Sequence, residues 1–124
     1  MSAVKAIIVD SFDQTVEYIE IDGYQDIQKN VWPHESTTFG CITMPDNHVI
    51  YYDDEAYVRE KCPHGWVNWP DAYPHPLANN LVIVGTDDEG GDIDVTWTLD
   101  KVRKEVEFRN EFNGPNPEIT VVWS

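Results

Sequence analysis

The run LVIVG at residues 81–85 decides the architecture. Four large apolar side chains in succession leave no polar face, so the segment reads as a buried strand. The next stretch, TDDEGG at 86–91, is an acidic turn that ends in glycine, and Ile93 and Val95 continue as a strand beyond it. Thr98 then stands as an N-cap for a helix from Leu99 to about Val106, with Leu99, Val102, Arg103 and Val106 marking its face.

On the N-terminal side, residues 4–10 (VKAIIVD) and 15–21 (TVEYIEI) are β-rich runs separated by a polar turn that contains Asp13 and Gln14. They read as a β-hairpin. Asp22 is placed to cap a short helix over 23–31, whose Tyr24, Ile27, Gln28 and Val31 recur at helical spacing; Pro33 ends it. A second hairpin is expected from 37–44 and 48–53 about Pro45-Asp46-Asn47, where proline presets φ and Asp or Asn closes the bend. Asp54 is placed to cap a helical turn through Ala56, Tyr57 and Val58.

Residues 62–80 break the pattern. Pro63, Pro70, Pro74 and Pro76 interleave with Trp66, Trp69 and Tyr73, and so much proline excludes a central strand or a helix interior. The fold class that emerges is α+β. A mainly antiparallel or mixed sheet of about five to six strands carries two short helices and one Pro/Trp-rich loop. Residues 1–110 form one domain, and 111–124 a tail with a β-prone segment from Ile119 to Trp123, after the breaker Asn113-Gly114-Pro115-Asn116-Pro117.

The chain has 124 residues, enough for a core without metal or disulfide support. Its outlying property is charge: 23 Asp and Glu against 8 Lys and Arg give −15. A direct nucleic-acid ligand needs a basic footprint, and none longer than Arg103-Lys104 is present. An anionic membrane is disfavoured on the same ground, whereas a basic protein or a cation suits this field. Cys41 and Cys62 do not make a disulfide framework, and residues 1–10 hold only a four-residue apolar core. The expected address is therefore a cytoplasm, with both thiols reduced.

Four features could carry chemistry. Cys62, His64 and His75, with Cys41 and His48 upstream, supply zinc-ligand types, but no Cys-x-x-Cys or His-x-x-x-His pair organises them. Cys62 with His64 as a nucleophile pair lacks any orienting group. The acidic turn Asp87-Asp88-Glu89-Gly90-Gly91-Asp92 fails the calcium-loop pattern, since counting from Asp87 puts Asp92 where glycine is needed and Thr98 where glutamate is needed. Trp66, Trp69 and Tyr73 offer rigid amphipathic area of the kind that forms binding hot spots, unless the loop folds back over the core. Phosphate-binding and cofactor motifs are absent, so no cofactor is expected.

The order of these features resembles the domain-of-unknown-function family DUF3846, a group of small phage-encoded proteins. KAIIVD at 5–10, TVEYIEIDG at 15–23 and YQDIQK at 24–29 are similar to its opening. HPLANNLVIVGTDDEGGDIDV at 75–95 and LDKVRKEVEF at 99–108 are similar to its close. The resemblance spans about four-fifths of the chain and rests on order and texture, with no catalytic signature. Val31-Trp32-Pro33 stands where the family leads one to expect Gly-Gly, and the loop at 62–73 is longer and more aromatic. The resemblance implies a bacteriophage or marine-metagenomic source and action in the host cytoplasm; it assigns no functional residue.

Three functions compete. The first is a non-catalytic accessory protein that binds a host or phage protein through acidic and aromatic surface, with Trp66, Trp69, Tyr73, Asp87, Asp88 and Glu89 as contact candidates. The second is a DNA mimic, which needs Asp13, Glu17, Glu20, Asp22, Asp26, Asp53-Asp54-Glu55 and residues 87–94 arrayed on one face. The third is a small metal protein or enzyme using Cys62, His64 and His75. A small-molecule binder needs a concave pocket. Apolar edge segments such as 119–123 leave room for a homodimer by strand addition.

Overall fold

The computed structural model describes residues 3–31, 39–53, 66–74 and 77–109. Two hairpins form as expected. β1 (Val4–Asp10) pairs antiparallel with β2 (Thr15–Ile21), from Val4 opposite Ile21 to Asp10 opposite Thr15. The turn between them is held by Asp10, whose Oδ1 accepts from the N–H groups of Phe12 at 2.9 Å and Asp13 at 3.0 Å. Gln14 completes it with a φ of 58°.

Helix α1 (Tyr24–Val31) follows, and buries Ile27 and Val31 completely. Its entry differs from the expected Asp22 cap. The Asp26 side chain reaches back to accept from the N–H of Asp22 at 2.8 Å, and Gly23 turns the chain with a φ of 84°.

β3 (Phe39–Met44) and β4 (His48–Asp53) form the second hairpin around the expected three-residue turn. Asn47 takes the left-handed conformation, with a φ of 63°, that such turns require. β7 (Leu81–Thr86) lies between β1 and β4, antiparallel to both, and its first five residues are buried. The two short strands before it, β5 (Trp66–Asn68) and β6 (Leu77–Ala78), belong to a second sheet. β8 (Asp92–Ile93) pairs with the end of β7, giving a six-stranded antiparallel sheet with the path β2-β1-β7-β4-β3.

Period-two alternation divides the core between the two faces of this sheet. Ala6, Val49, Tyr51, Val82 and Val84 face α1 and pack with Ile21, Ile27 and Val31. Ile7, Val9, Ile50, Leu81 and Ile83 face the other way and pack with Val67, Trp69, Leu77, Val95, Trp97 and Val102. Asn80 ties the layers together. It accepts from Ser11 N at 3.2 Å and donates to the carbonyl of Asn30 at 3.0 Å.

The second face is covered by α2 (Leu99–Glu105), β9 (Glu107–Arg109) and the small sheet β6-β5-β9. Thr98 caps α2 as expected, accepting from Lys101 N at 3.1 Å. β5 corrects the reading of the proline-rich stretch, because it is the central strand of this sheet. Pro70 and Pro74 lie after it in a turn and a bend, so they follow the strand without interrupting its hydrogen bonds. The expected helical turn at 54–58, the sites Cys62, His64 and His75, and the segment 119–123 lie outside the described residues.

Candidate functional site: an acidic-rimmed groove

The topology brings three chain segments together at one end of the main sheet. The open end of the β1–β2 hairpin supplies Val4 and Ile21. Two residues on, Gly23 and Tyr24 begin α1. Because β7 runs antiparallel to β1, the β7–β8 hairpin arrives at the same end and supplies Gly90, Gly91 and Asp92. These seven residues line a groove of about 600 Å³. Its floor continues the core, since Ile21 belongs to the cluster beneath α1 and Val4 packs against that cluster.

The groove wall is built by the β7–β8 turn. Asp87 accepts from the N–H groups of Glu89 at 2.9 Å and Gly91 at 2.8 Å through its Oδ1. Its N–H donates to the carbonyl of Gly91 at 3.0 Å. Asp87, a contact candidate from sequence, therefore spends its carboxylate on shaping the turn. Asp88 and Glu89 stand exposed. A Cβ on Gly23 or Gly90 would meet no atom within 4 Å, so the space over both is open.

Asp92 links groove to core: its Oδ1 accepts from the Tyr51 hydroxyl at 2.9 Å. Burial, then the bond to Asp92, pushes the Tyr51 phenol well above the ordinary tyrosine value. Among the described residues, the groove lining contains no cation. Lys5, adjacent to Val4, lies over the ring of Tyr18 at 4.7 Å, on the opposite face of the sheet. Asp22, between Ile21 and Gly23, and Glu89, before Gly90, are exposed at the rim.

Tyr24 stands at the mouth. Its spacing places it on the apolar stripe of Ile27 and Val31, yet it is 72% exposed. Helical spacing alone does not reveal that the first turn of α1 carries this ring into the groove lining, and no local signal marks Val4, Gly23 or Asp92 as its neighbours.

The expected aromatic surface is corrected. Trp66 and Trp69 are 6% and 1% exposed, and Trp69 packs in the second-face core. The loop folds back because the indole N–H of Trp69 finds an acceptor in Glu105 Oε1 at 3.1 Å, so the ring is buried without an orphaned donor. Tyr73 remains 36% exposed, tilted against Tyr52 with ring centroids 6.3 Å apart.

His48 and Cys41 do not converge as ligands. Register puts Cys41 opposite Tyr51, on the α1 side of the sheet, and His48 on the other side. His48 is buried, its Nε2 accepts from Thr96 N at 3.1 Å, and its Nδ1 lies 2.9 Å from the carbonyl of Asp46. Its ring stacks on Trp97 at 4.3 Å. Among the described residues, no three His, Cys, Asp or Glu side chains gather to hold a metal ion.

One of the acids named for a nucleic-acid-like array is withdrawn from the surface. Asp53 is buried and accepts from the Asn79 side chain at 2.7 Å. Asp13 sits at the far end of the seven-residue β1 from the groove, a span of about 20 Å. Among the described residues, no helix is long and apolar enough to cross a membrane. A scan against protein-family models finds no matching family, and searches of curated proteins and of solved structures find no match.

Proposed function

We propose that this chain is a non-catalytic accessory protein of the bacteriophage type, resembling DUF3846, which acts in the host cytoplasm by binding a host or phage protein with a basic surface. The observation that carries this reading is the groove end of the sheet. Exposed Asp22 precedes the lining residues Gly23 and Tyr24, exposed Asp88 and Glu89 precede Gly90, the Tyr24 ring is itself exposed over an apolar floor, and the described lining residues include no cation. Acid around an apolar centre is the complement of a basic, partly apolar epitope, and a chain at −15 steers such a partner from a distance. The binding reading is also consistent with His48, the histidine among the described residues, because both its ring nitrogens are engaged inside the fold.

The test is affinity capture from bacterial lysate at low ionic strength, followed by titration of the purified captured protein in rising NaCl. A basic-surfaced protein whose Kd weakens by about tenfold or more between about 50 and about 500 mM salt is expected. Failure to capture any protein, or an affinity indifferent to salt, contradicts the proposal.

A further inference from the structure

We infer that the groove lined by Val4, Ile21, Gly23, Tyr24, Gly90, Gly91 and Asp92 is a receptor for an arginine side chain presented by an extended segment of a basic partner. The inference rests on the binding reading above and specifies its contact. Three features of the groove match the three parts of an arginine. The apolar floor of Val4 and Ile21 suits the methylene stem, which long cationic side chains lay along apolar surface. The Tyr24 ring, 72% exposed at the mouth, offers a face on which a planar guanidinium stacks. Asp92 offers a carboxylate already oriented by the Tyr51 hydroxyl, and a carboxylate receives the guanidinium fork.

The walls fit a peptide backbone. Gly23 and Gly90 hold φ values of 84° and 83°, and a Cβ on either would point into open space. The groove, at about 600 Å³, is larger than one side chain needs, so flanking main chain can enter beside it. Charge selects the sign of the occupant: Asp22 and Glu89 stand exposed at the rim, and Lys5 is committed to Tyr18 on the opposite face. A lysine would fill the apolar floor but, as a strongly hydrated point charge, gains less from the ring and the carboxylate together.

The probe is the blocked tripeptide acetyl-Gly-Arg-Gly-amide, with the citrulline tripeptide as its uncharged counterpart. Each is titrated into the full chain at low salt while backbone amides are followed by two-dimensional NMR. With the arginine peptide, the Gly23, Gly90 and Gly91 amides are expected to shift and saturate together, on the order of millimolar, and the citrulline peptide is expected to leave them still. Tyr24→Ala should weaken binding about two- to fivefold, and Asp92→Asn should weaken it further. The Tyr24 ring is solvent-exposed, so an otherwise unchanged spectrum of Tyr24→Ala shows that its fold is intact. Shifts confined to other acids, such as Glu17 and Glu20 on β2, would overturn the groove assignment and leave the basic-partner reading standing. Equal responses to the two peptides, no shift with either, or full affinity in Tyr24→Ala would also overturn the groove assignment. The basic-partner reading is decided separately, by the salt dependence of the captured protein.

Discussion

The ring of His48 accepts from Thr96 N–H at Nε2, which leaves Nδ1 to donate to the Asp46 carbonyl. A neutral His48 therefore carries its proton on Nδ1. Nitrogen chemical shifts of the imidazole, read by long-range proton–nitrogen correlation at neutral pH, should show that tautomer; an Nε2–H ring would contradict the placement of Thr96. Tyr51 gives a second prediction. Its phenol ionises at higher pH in the folded chain than the ordinary 10.0, because burial and the Asp92 bond favour the protonated form. The stability it contributes is thus complete below the unfolded value and is lost as pH rises above it. In an alkaline titration followed by tyrosinate absorbance, a step above the ordinary tyrosine value should appear, and Tyr51→Phe should abolish that step. Neither environment was legible in the sequence. Asp46 and Trp97, like Tyr51 and Asp92, lie far apart along the chain, and only the tertiary fold makes them neighbours. Trp66 and Trp69 carry the same lesson, since an indole serves a hot spot and a core equally well until its N–H partner is known.

At the scale of elements, the local code was easier to read. Alternation bounded both hairpins, the three-residue turn at Pro45-Asp46-Asn47 had its own chemistry, and Thr98 announced α2. What escaped was the small sheet, because strands of two and three residues have no periodicity to detect and exist only through their partners. That sheet is fastened to α2 by Glu105, which accepts from Trp69 Nε1 at 3.1 Å and from Lys101 Nζ at 2.6 Å. Burial pushes the Glu105 carboxyl upward, but the two hydrogen bonds outweigh it and hold the group below the ordinary glutamate value. The contribution is therefore present above that ordinary value and is lost as pH falls through the lowered one. Glu105→Ala should cost about 1–3 kcal/mol in chemical denaturation, chiefly by leaving the buried indole N–H unpaired. Glu105→Gln, which keeps an acceptor, should cost less. Equal losses in the two variants would mean that the Trp69 bond is not what matters. The Lys101 pair adds little of its own, being half-exposed on the helix surface.

The whole molecule is organised by where its charge is not. Two apolar clusters occupy the faces of one sheet, and the exposed acids collect at turns and edges, with the groove end combining them with an aromatic ring. The sign and size of the charge were legible in the composition, as was its concentration at the β7–β8 turn. Its juxtaposition with Tyr24 was not, because that depends on β7 running antiparallel to β1 and bringing the turn beside the start of α1. An acidic rim acts mainly on encounter, so its removal should slow association more than it hastens dissociation. The most direct test is the association rate of the captured partner, measured against NaCl for the wild-type chain and for the double variant Asp88→Asn/Glu89→Gln. Both side chains are exposed, so the fold should be unaffected. The wild-type rate is predicted to fall steeply with salt, and the variant is predicted to start slower and fall less. Superimposable salt profiles for the two proteins would contradict the claim that this acidic end of the sheet guides a basic partner.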